Sequence, residues 1–581
     1  MEEKTAAGIT GKTWPDVSLE PSTKEFGERI RLDPPVCGLP AFRVQPELLY
    51  NAIRFLKENK AYRFNQLTDV TCVDHLQNGQ APARFEIIYN FHSLPTSARL
   101  ILKSWIAEDD ATVDSIHSLY KNANWLEREI FDQYGLRFKG HPNMKRILNH
   151  KEFVGHPLRK DYPISKGQWL SEADDLLDEL EIRHRLDPKD DDGDRERMTL
   201  NLGPSHPAAH GTLRNMVELS GETILYCIPE IGYLHRGFEK NAETHCYNMV
   251  IPYTDRLNYC SAIMNNVGYV KAVERLLNIE VPERCRYIRV IMCELSRIMD
   301  HLVANGANLV DLGALTNYWY LFSLREKIYN VLEEQTGARL TNSYTRVGGV
   351  WADVNENFEP SVRQILKDVP RHVNDSLKLV ARNRIFLDRT VGVGAISAED
   401  AVSFGYTGPC LRAAGVDWDL RKVQPYYHYD EFDFDIPVGE RGDTYDRIMV
   451  RFEEMFQSCR IIAQALDRMP DGPVNIADRR YILPPKEEVY SSIEGMVSHF
   501  NLVMRGVRPP AGDVYDATEA ANGELGFYIV SDGSQNPYKC HVRPPCFHIY
   551  SSFPTLAEGG MIADAIAILG SLNIIAGELD R

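Results

Sequence analysis

The chain has 581 residues, too long for one hydrophobic core, and domains of roughly 100–200 residues predict about three units. Its net charge of −17 argues against a nucleic-acid partner, because phosphate recognition needs a basic footprint. The 11 cysteines contain no C-x-x-C pair, with Cys540 and Cys546 the nearest candidates by spacing. That pattern fits reduced, buried thiols and argues against a self-contained iron–sulfur or zinc-ribbon site, which needs clustered thiolates.

In chain order, the start Met1-Glu2-Glu3-Lys4 lacks the apolar region of a signal peptide, and residues 1–40, rich in proline and charge, predict an extended segment. An α/β pattern then predicts a domain over 41–165. Residues 46–60 read as a helix with Leu49, Ile53 and Leu56 on one face. Residues 84–92 and 98–105 read as a hairpin across a Ser-Leu-Pro-Thr turn. Residues 114–120 and 125–134 read as helices, the second ending at Gly135 as a C-cap. The acidic run from Glu172 to Asp194, punctuated by Pro188 and Gly193, predicts a solvated linker over 166–197 and the domain boundary.

The remaining part, 198–581, opens with a strand pair at 198–202 and 217–224. Four apolar helical stripes follow. They are built on Ile263, Val267 and Val270; on Ile288, Ile291, Leu295 and Ile298; on Leu321, Leu324 and Ile328; and on Ile448, Phe452, Met455 and Ile462. Such stripes predict a helix bundle. Residues 526–531 and 538–542 flank Asp532-Gly533 and predict a second hairpin. The most apolar run, 561–576, is interrupted by Asp564 and is shorter than the about 20 residues that span a bilayer. The fold class is therefore α+β and multidomain, an N-terminal α/β domain followed by a mainly helical one with small β elements.

The run Asn201-Leu202-Gly203-Pro204-Ser205-His206-Pro207-Ala208-Ala209-His210-Gly211 has no helix or strand periodicity, and its glycines and prolines predict a shaped loop. His206 and His210 are four apart, as in zinc proteases, but Pro207 and the missing glutamate between them disfavour a metal. Two readings stay open: histidines satisfied by backbone carbonyls, or a histidine that donates a hydrogen bond to a ligand. Tyr259, just before an apolar helix, is either core with its hydroxyl tied off or the partner of a histidine across an apolar cavity. In the second case the pair could hold the two carbonyls of a quinone-like ring and protonate it on reduction. Asp311, flanked by Val310 and Leu312, is either surface-facing or paired with a histidine. Arg236 and Glu239 read as a structural ion pair, and Arg128, Glu129 and Asp132 as solvated helix charges.

Several long motifs then carry a resemblance. Glu127-Arg128-Glu129-Ile130-Phe131-Asp132-Gln133-Tyr134-Gly135, with Gly140-His141-Pro142 and Gly155-His156-Pro157-Leu158-Arg159-Lys160-Asp161-Tyr162-Pro163, resembles the C subunit of the bacterial proton-pumping NADH:quinone oxidoreductase, respiratory complex I. The stretch from Asn201 to Asp580-Arg581 resembles the D subunit of the same complex, so the chain resembles the fused C/D subunit. The resemblance implies a fold akin to the large subunit of nickel–iron hydrogenases. It implies that His210 and Tyr259 bind the quinone headgroup with His206 beside them, and that Asp311 is linked to His210. Arg236, with Glu239 and Arg256, would lie near the terminal [4Fe–4S] cluster of a neighbouring subunit. No cofactor would be held by this chain alone. The implied partners are cluster-bearing peripheral subunits and membrane-arm subunits, on the cytoplasmic side of the bacterial membrane.

The two C-x-x-C pairs that hold nickel and iron in hydrogenases are missing here, which disfavours a hydrogenase. Thr341, in Thr336-Gly337-Ala338-Arg339-Leu340-Thr341, stands where many members carry a histidine near the cluster. A scaffold subunit that docks partners without touching substrate is the alternative from another class.

Overall fold

The computed structural model describes residues 14–15, 17–79, 81–169, 176–189, 197–209 and 211–581. In the order β1-β2-β5-β4-β3, a mixed sheet is built from β1 (Ile30–Val36), β2 (Leu39–Val44), β3 (Gln66–Asp74), β4 (Phe85–Ser93) and β5 (Ala98–Ile106). β4 and β5 form the predicted hairpin, in register from Phe85 opposite Ile106 to Ser93 opposite Ala98. β2 joins β5 in parallel. Strands β3, β4 and β5 are buried on both faces, and that burial covers polar side chains such as Asp69, Glu86 and Lys103 as well as the apolar ones. Ile87, Tyr89, Leu100 and Leu102 face the domain's own helices, whereas Ile88 and Ile101 pack on Tyr515 and Tyr528 of a second sheet near the C-terminus.

The helix predicted over 46–60 is a 3₁₀ turn, Pro46–Leu48, continued by a helix at Leu49–Glu58 that buries Leu49, Ile53 and Leu56. The predicted helix over 125–134 is present as Ala123–Tyr134, closed by Gly135 in the left-handed conformation. Two expectations fail in this domain. Residues 20–26 form a helix, Glu20–Phe26, rather than an extended segment; Pro21 opens it, Phe26 packs edge-on against Phe55, and the Ser22 hydroxyl donates to Tyr62 at 2.9 Å. Residues 112–114 form a short strand, and no helix follows over 115–120. There the Ile116 N–H donates to the Glu127 carboxylate at 2.8 Å instead of entering a helical ladder.

Within the acidic segment expected to be solvated, Leu176–Leu186 is a helix. Leu176 and Leu180 are buried on Met216, Tyr226 and Ile228, and Glu179 accepts from Asn143 at 2.8 Å. The sheet beneath it has the order β6 (Arg197–Leu202), β7 (Arg214–Ser220) and β8 (Thr223–Glu230), all antiparallel. The strand expected over 217–224 is split between β7 and β8, because Gly221 at φ +63° turns the chain there.

Four helices carry the predicted stripes: Ala262–Leu277, Glu283–Asp311, Leu315–Thr336 and Thr444–Arg468. A further one, Phe358–Val380, buries Val362, Ile365, Val369 and Val373, and it has Pro370 in its interior. Glu283–Asp311 is the hub, about 44 Å long at roughly 1.5 Å per residue, and it is buried over most of its surface. Its mid-section places Glu294, Arg297, Asp300 and His301 inside the bundle. There His301 pairs with Glu454 at 2.7 Å, and Arg412 and Arg421 answer Glu454 and Glu294. The C-terminal sheet pairs Gly512–Ala520 with Gly523–Ser531 and that strand with Lys539–Arg543, so the second predicted hairpin is present as its outer pair.

Candidate functional site

Gly203 starts the loop that the sequence singles out. Its φ is +90°, and a Cβ there would lie 2.1 Å from the Leu213 carbonyl oxygen and 2.6 Å from the Ala209 Cβ. Only glycine lets the loop close this tightly on itself. A 3₁₀ turn, Pro207–Ala209, follows, with Ala208 and Ala209 buried. His206 is half-buried, and its Nδ1 accepts from the Ala208 N–H at 3.2 Å. His210 lies outside the described residues.

Tyr259 opens another 3₁₀ turn, Tyr259–Ser261, capped by Asn258, whose Oδ1 accepts from the Cys260 N–H at 3.1 Å. The Asn258 amide donates to Asp300 at 2.8 Å, and the other Asp300 oxygen accepts from Asn573 at 2.8 Å. Asp300 thus ties the tyrosine's turn to the segment at 573–575. Burial, aided by the neighbouring Cys260 thiol, pushes the Tyr259 phenol up to about 12.

These elements enclose a cleft of about 100 Å³. That is the scale of a single ring, of the same order as the roughly 150 Å³ apolar cavity that takes up benzene. Tyr259 and Cys260 form one wall, and Ala208 and Leu213, on either side of position 210, form another. Val303, Ala304, Ala307, Asn308 and Asp311 line it from the hub helix, and Leu569, Gly570 and 573–575 close it. Asp311 is the last residue of that helix and is half-buried. The structure therefore brings Tyr259 and Asp311 to one cavity; His206 is not among the lining residues.

Arg236 and Arg256 line a separate, larger cleft of about 600 Å³ with Phe238, His245, Met249 and Tyr253. The Arg236 guanidinium donates to the Arg256 carbonyl at 2.6 Å. Gly577 packs beneath, where a Cβ would meet the Arg256 and Leu257 carbonyl oxygens at 2.4 and 2.7 Å. The residues from Asn573 onward thus run between the two clefts.

Glu239 does not join Arg236. Gly237, at φ +62°, turns the chain between them and sends Glu239 into the interior. There it binds Lys539 and takes a 2.6 Å hydrogen bond from His541 Nδ1, while His541 Nε2 meets Asp69 at 2.7 Å. Burial opposes charge on His541, but Asp69 and Glu239 outweigh it and hold the imidazole up to about 9. Glu129, close enough to Glu239 and His541 to share an ion with them, is instead paired with Arg581 at 2.5 Å. With both ring nitrogens engaged and Lys539 and Arg581 supplying positive charge, this cluster is a salt-bridge network and not a metal cage.

Arg128, Glu129 and Asp132 are buried here, contrary to the solvated reading. Arg128 donates to the carbonyls of Lys145 and Arg146, and one Asp132 oxygen accepts from the N–H groups of Ile147, Leu148 and Asn149. Sequence reasoning also missed Asn258, Asp300, Asn308 and Asn573. A carboxylate at 300 among apolar residues of a buried stripe was the available signal.

Comparison with known proteins agrees with this architecture. Residues 42–168 match the family model of the 30 kDa subunit of respiratory-chain NADH dehydrogenase, and residues 311–581 match that of the 49 kDa subunit. The NADH-quinone oxidoreductase C/D subunit of Bdellovibrio bacteriovorus is 52% identical over 529 residues, covering 91% of this chain and 92% of the relative.

The chain belongs to the C/D subunits of NADH-quinone oxidoreductase.

A second relative, the C/D 2 subunit of Aquifex aeolicus, is 42% identical over 567 residues, 93% of this chain and 95% of its own length. The D subunit of the Myxococcus xanthus oxidoreductase is 54% identical over 386 residues, 66% of this chain and 93% of the relative. Membership makes the chain a component of a multi-subunit oxidoreductase, with other subunits of that complex as its partners. Among the described residues no helix is long and apolar enough to cross a membrane.

Proposed function

We propose that this C/D subunit forms the quinone-reducing site of its oxidoreductase. The observation that carries the reading is the cavity: Tyr259 and Asp311, distant in sequence, line one largely apolar space walled by the chain on both sides of His210.

A quinone ring presents two carbonyl oxygens, both hydrogen-bond acceptors. The Tyr259 hydroxyl donates to one and the His210 imidazole to the other. Reduction to the quinol takes two electrons, delivered from outside this chain, and two protons, which these side chains give. With its phenol held up to about 12, Tyr259 keeps its proton at neutral pH and yields it only as the ring oxygen becomes strongly basic. Asp311, on the same cavity, stabilises the charged form of His210 and responds when that proton leaves. Shifts of the 203–211 loop and of Asp311 then signal to membrane subunits that translocate protons. The Arg236–Arg256 cleft faces the neighbouring subunit that carries the terminal [4Fe–4S] cluster. No group of this chain supplies the electrons.

The test is Tyr259→Phe in membranes that hold the assembled complex. Quinone reduction should fall about 100-fold while NADH oxidation by an artificial acceptor stays at the wild-type rate. Survival of both rates would make Tyr259 a packing residue and the chain a docking scaffold.

A further inference from the structure

On the face of the hub helix that lines the cavity, one residue is left with unmet chemistry. Asn308 is 1% exposed and sits one turn before Asp311, yet neither its Nδ2 nor its Oδ1 has a hydrogen-bond partner among the described residues. Of the other side chains on this face, Val303, Ala304 and Ala307 have no hydrogen-bonding atoms to offer it, and the Asp311 carboxylate is not bonded to it. Across the cavity, Gly570 makes room for the amide: a Cβ there would lie 2.7 Å from the Asn308 Oδ1 and 3.0 Å from its Cγ. A buried amide with both ends unpaired is costly, and native proteins rarely keep one unless something binds it.

We propose that Asn308 is a further headgroup-binding residue of this cavity, its amide hydrogen-bonding an oxygen carried by the quinone ring. This rests on the quinone reading above. The chemistry suits both ends of the reaction. The amide N–H donates to a carbonyl or alkoxy oxygen of the oxidised ring, and the amide oxygen accepts from a hydroxyl of the quinol. Asn308 gives no proton. It orients the ring against Tyr259, and its place between the hub helix and Gly570 makes it a determinant of which ring substituents fit.

The experiment titrates a short-chain benzoquinone into membranes carrying the assembled complex with Asn308→Leu, a similar shape without hydrogen-bonding atoms. The KM for the quinone should rise about tenfold, the effect of one lost neutral hydrogen bond. kcat should hold within about twofold, and the artificial-acceptor rate should be unchanged. The pair Asn308→Thr and Asn308→Val, matched in size, provides the second measurement. The threonine hydroxyl should recover part of the lost affinity, and the valine should not. An unchanged KM in Asn308→Leu, with Tyr259→Phe still abolishing quinone reduction, would mean that water alone satisfies the amide, and the proposal is overturned. Equal KM values for the Thr and Val variants would overturn it too, including when Asn308→Leu fails to assemble. If Tyr259→Phe is itself silent, the quinone reading fails instead.

Discussion

Asp311 terminates the hub helix at the rim of the cavity, so a change in its charge is felt where a headgroup would sit. Asp311→Asn keeps the shape and removes the charge. If this acid links chemistry to pumping, the variant should keep most of its quinone reductase rate and move fewer protons per electron, measured together in sealed vesicles. An unchanged proton-to-electron ratio would remove Asp311 from the coupling path. At this scale the sequence was half legible. Tyr259 and Asp311 stand out as polar groups at the ends of apolar stripes. Asn258 and Asn573 do not, because an amide shows its role only through its partner, and Asn573 reaches Asp300 from the far end of the chain.

Among the elements, the Ala123–Tyr134 helix departs furthest from its sequence reading. Its acidic and basic residues look like a solvated face, yet the helix packs on β3 and its charges are met by residues 145–149 and by Arg581. Glu127 is the extreme case: burial drives its carboxyl from the usual 4.5 up to about 8, against hydrogen bonds from the Ser115 hydroxyl at 2.6 Å and the Ile116 N–H at 2.8 Å. A raised folded pKa means that the folded chain holds a proton the unfolded chain has lost. The stabilisation is full below pH 4.5 and disappears as pH rises through about 8. His541, raised from 6.5 to about 9, acts in the same direction at higher pH. Thermal unfolding of the chain should therefore show a falling Tm from pH 6 to pH 9. Glu127→Gln, which mimics the neutral acid, should lose on the order of 2 kcal/mol less over that interval. Parallel pH profiles for the two proteins would mean that Glu127 is ionised when folded. The missed Phe358–Val380 helix has a clear apolar stripe, but Pro370 in its interior reads as a break.

Across the whole molecule, two sheets distant in sequence are joined by charge. Arg99 makes a two-pronged contact with Glu524 at 2.6 and 2.5 Å, with both side chains 1% exposed. A buried pair adds little net stability, but removing one partner strands the other charge. Arg99→Met should cost about 3–5 kcal/mol in denaturant unfolding, and adding Glu524→Gln should restore much of it. A cost below about 1 kcal/mol for the single variant would mean that water reaches Glu524. Together with the Glu129–Arg581 and Asp69–His541–Glu239 contacts, this pair makes the N-terminal part a wall of the same body that holds the cavity.

By itself the sequence determined the α+β class, the strand hairpins, four of the long helices and the loop beginning at Gly203, because periodicity and glycine or proline chemistry act over a few residues. The long motifs at 127–163 and the stretch from 201 to 581 also carried the family. Only the tertiary structure decided which charges are buried, that Glu239 turns inward to His541 rather than outward to Arg236, and that Tyr259 and Asp311 share a cavity with an unpaired amide at Asn308. Those facts depend on the partners that folding brings to each side chain, and a partner hundreds of residues away leaves no local pattern.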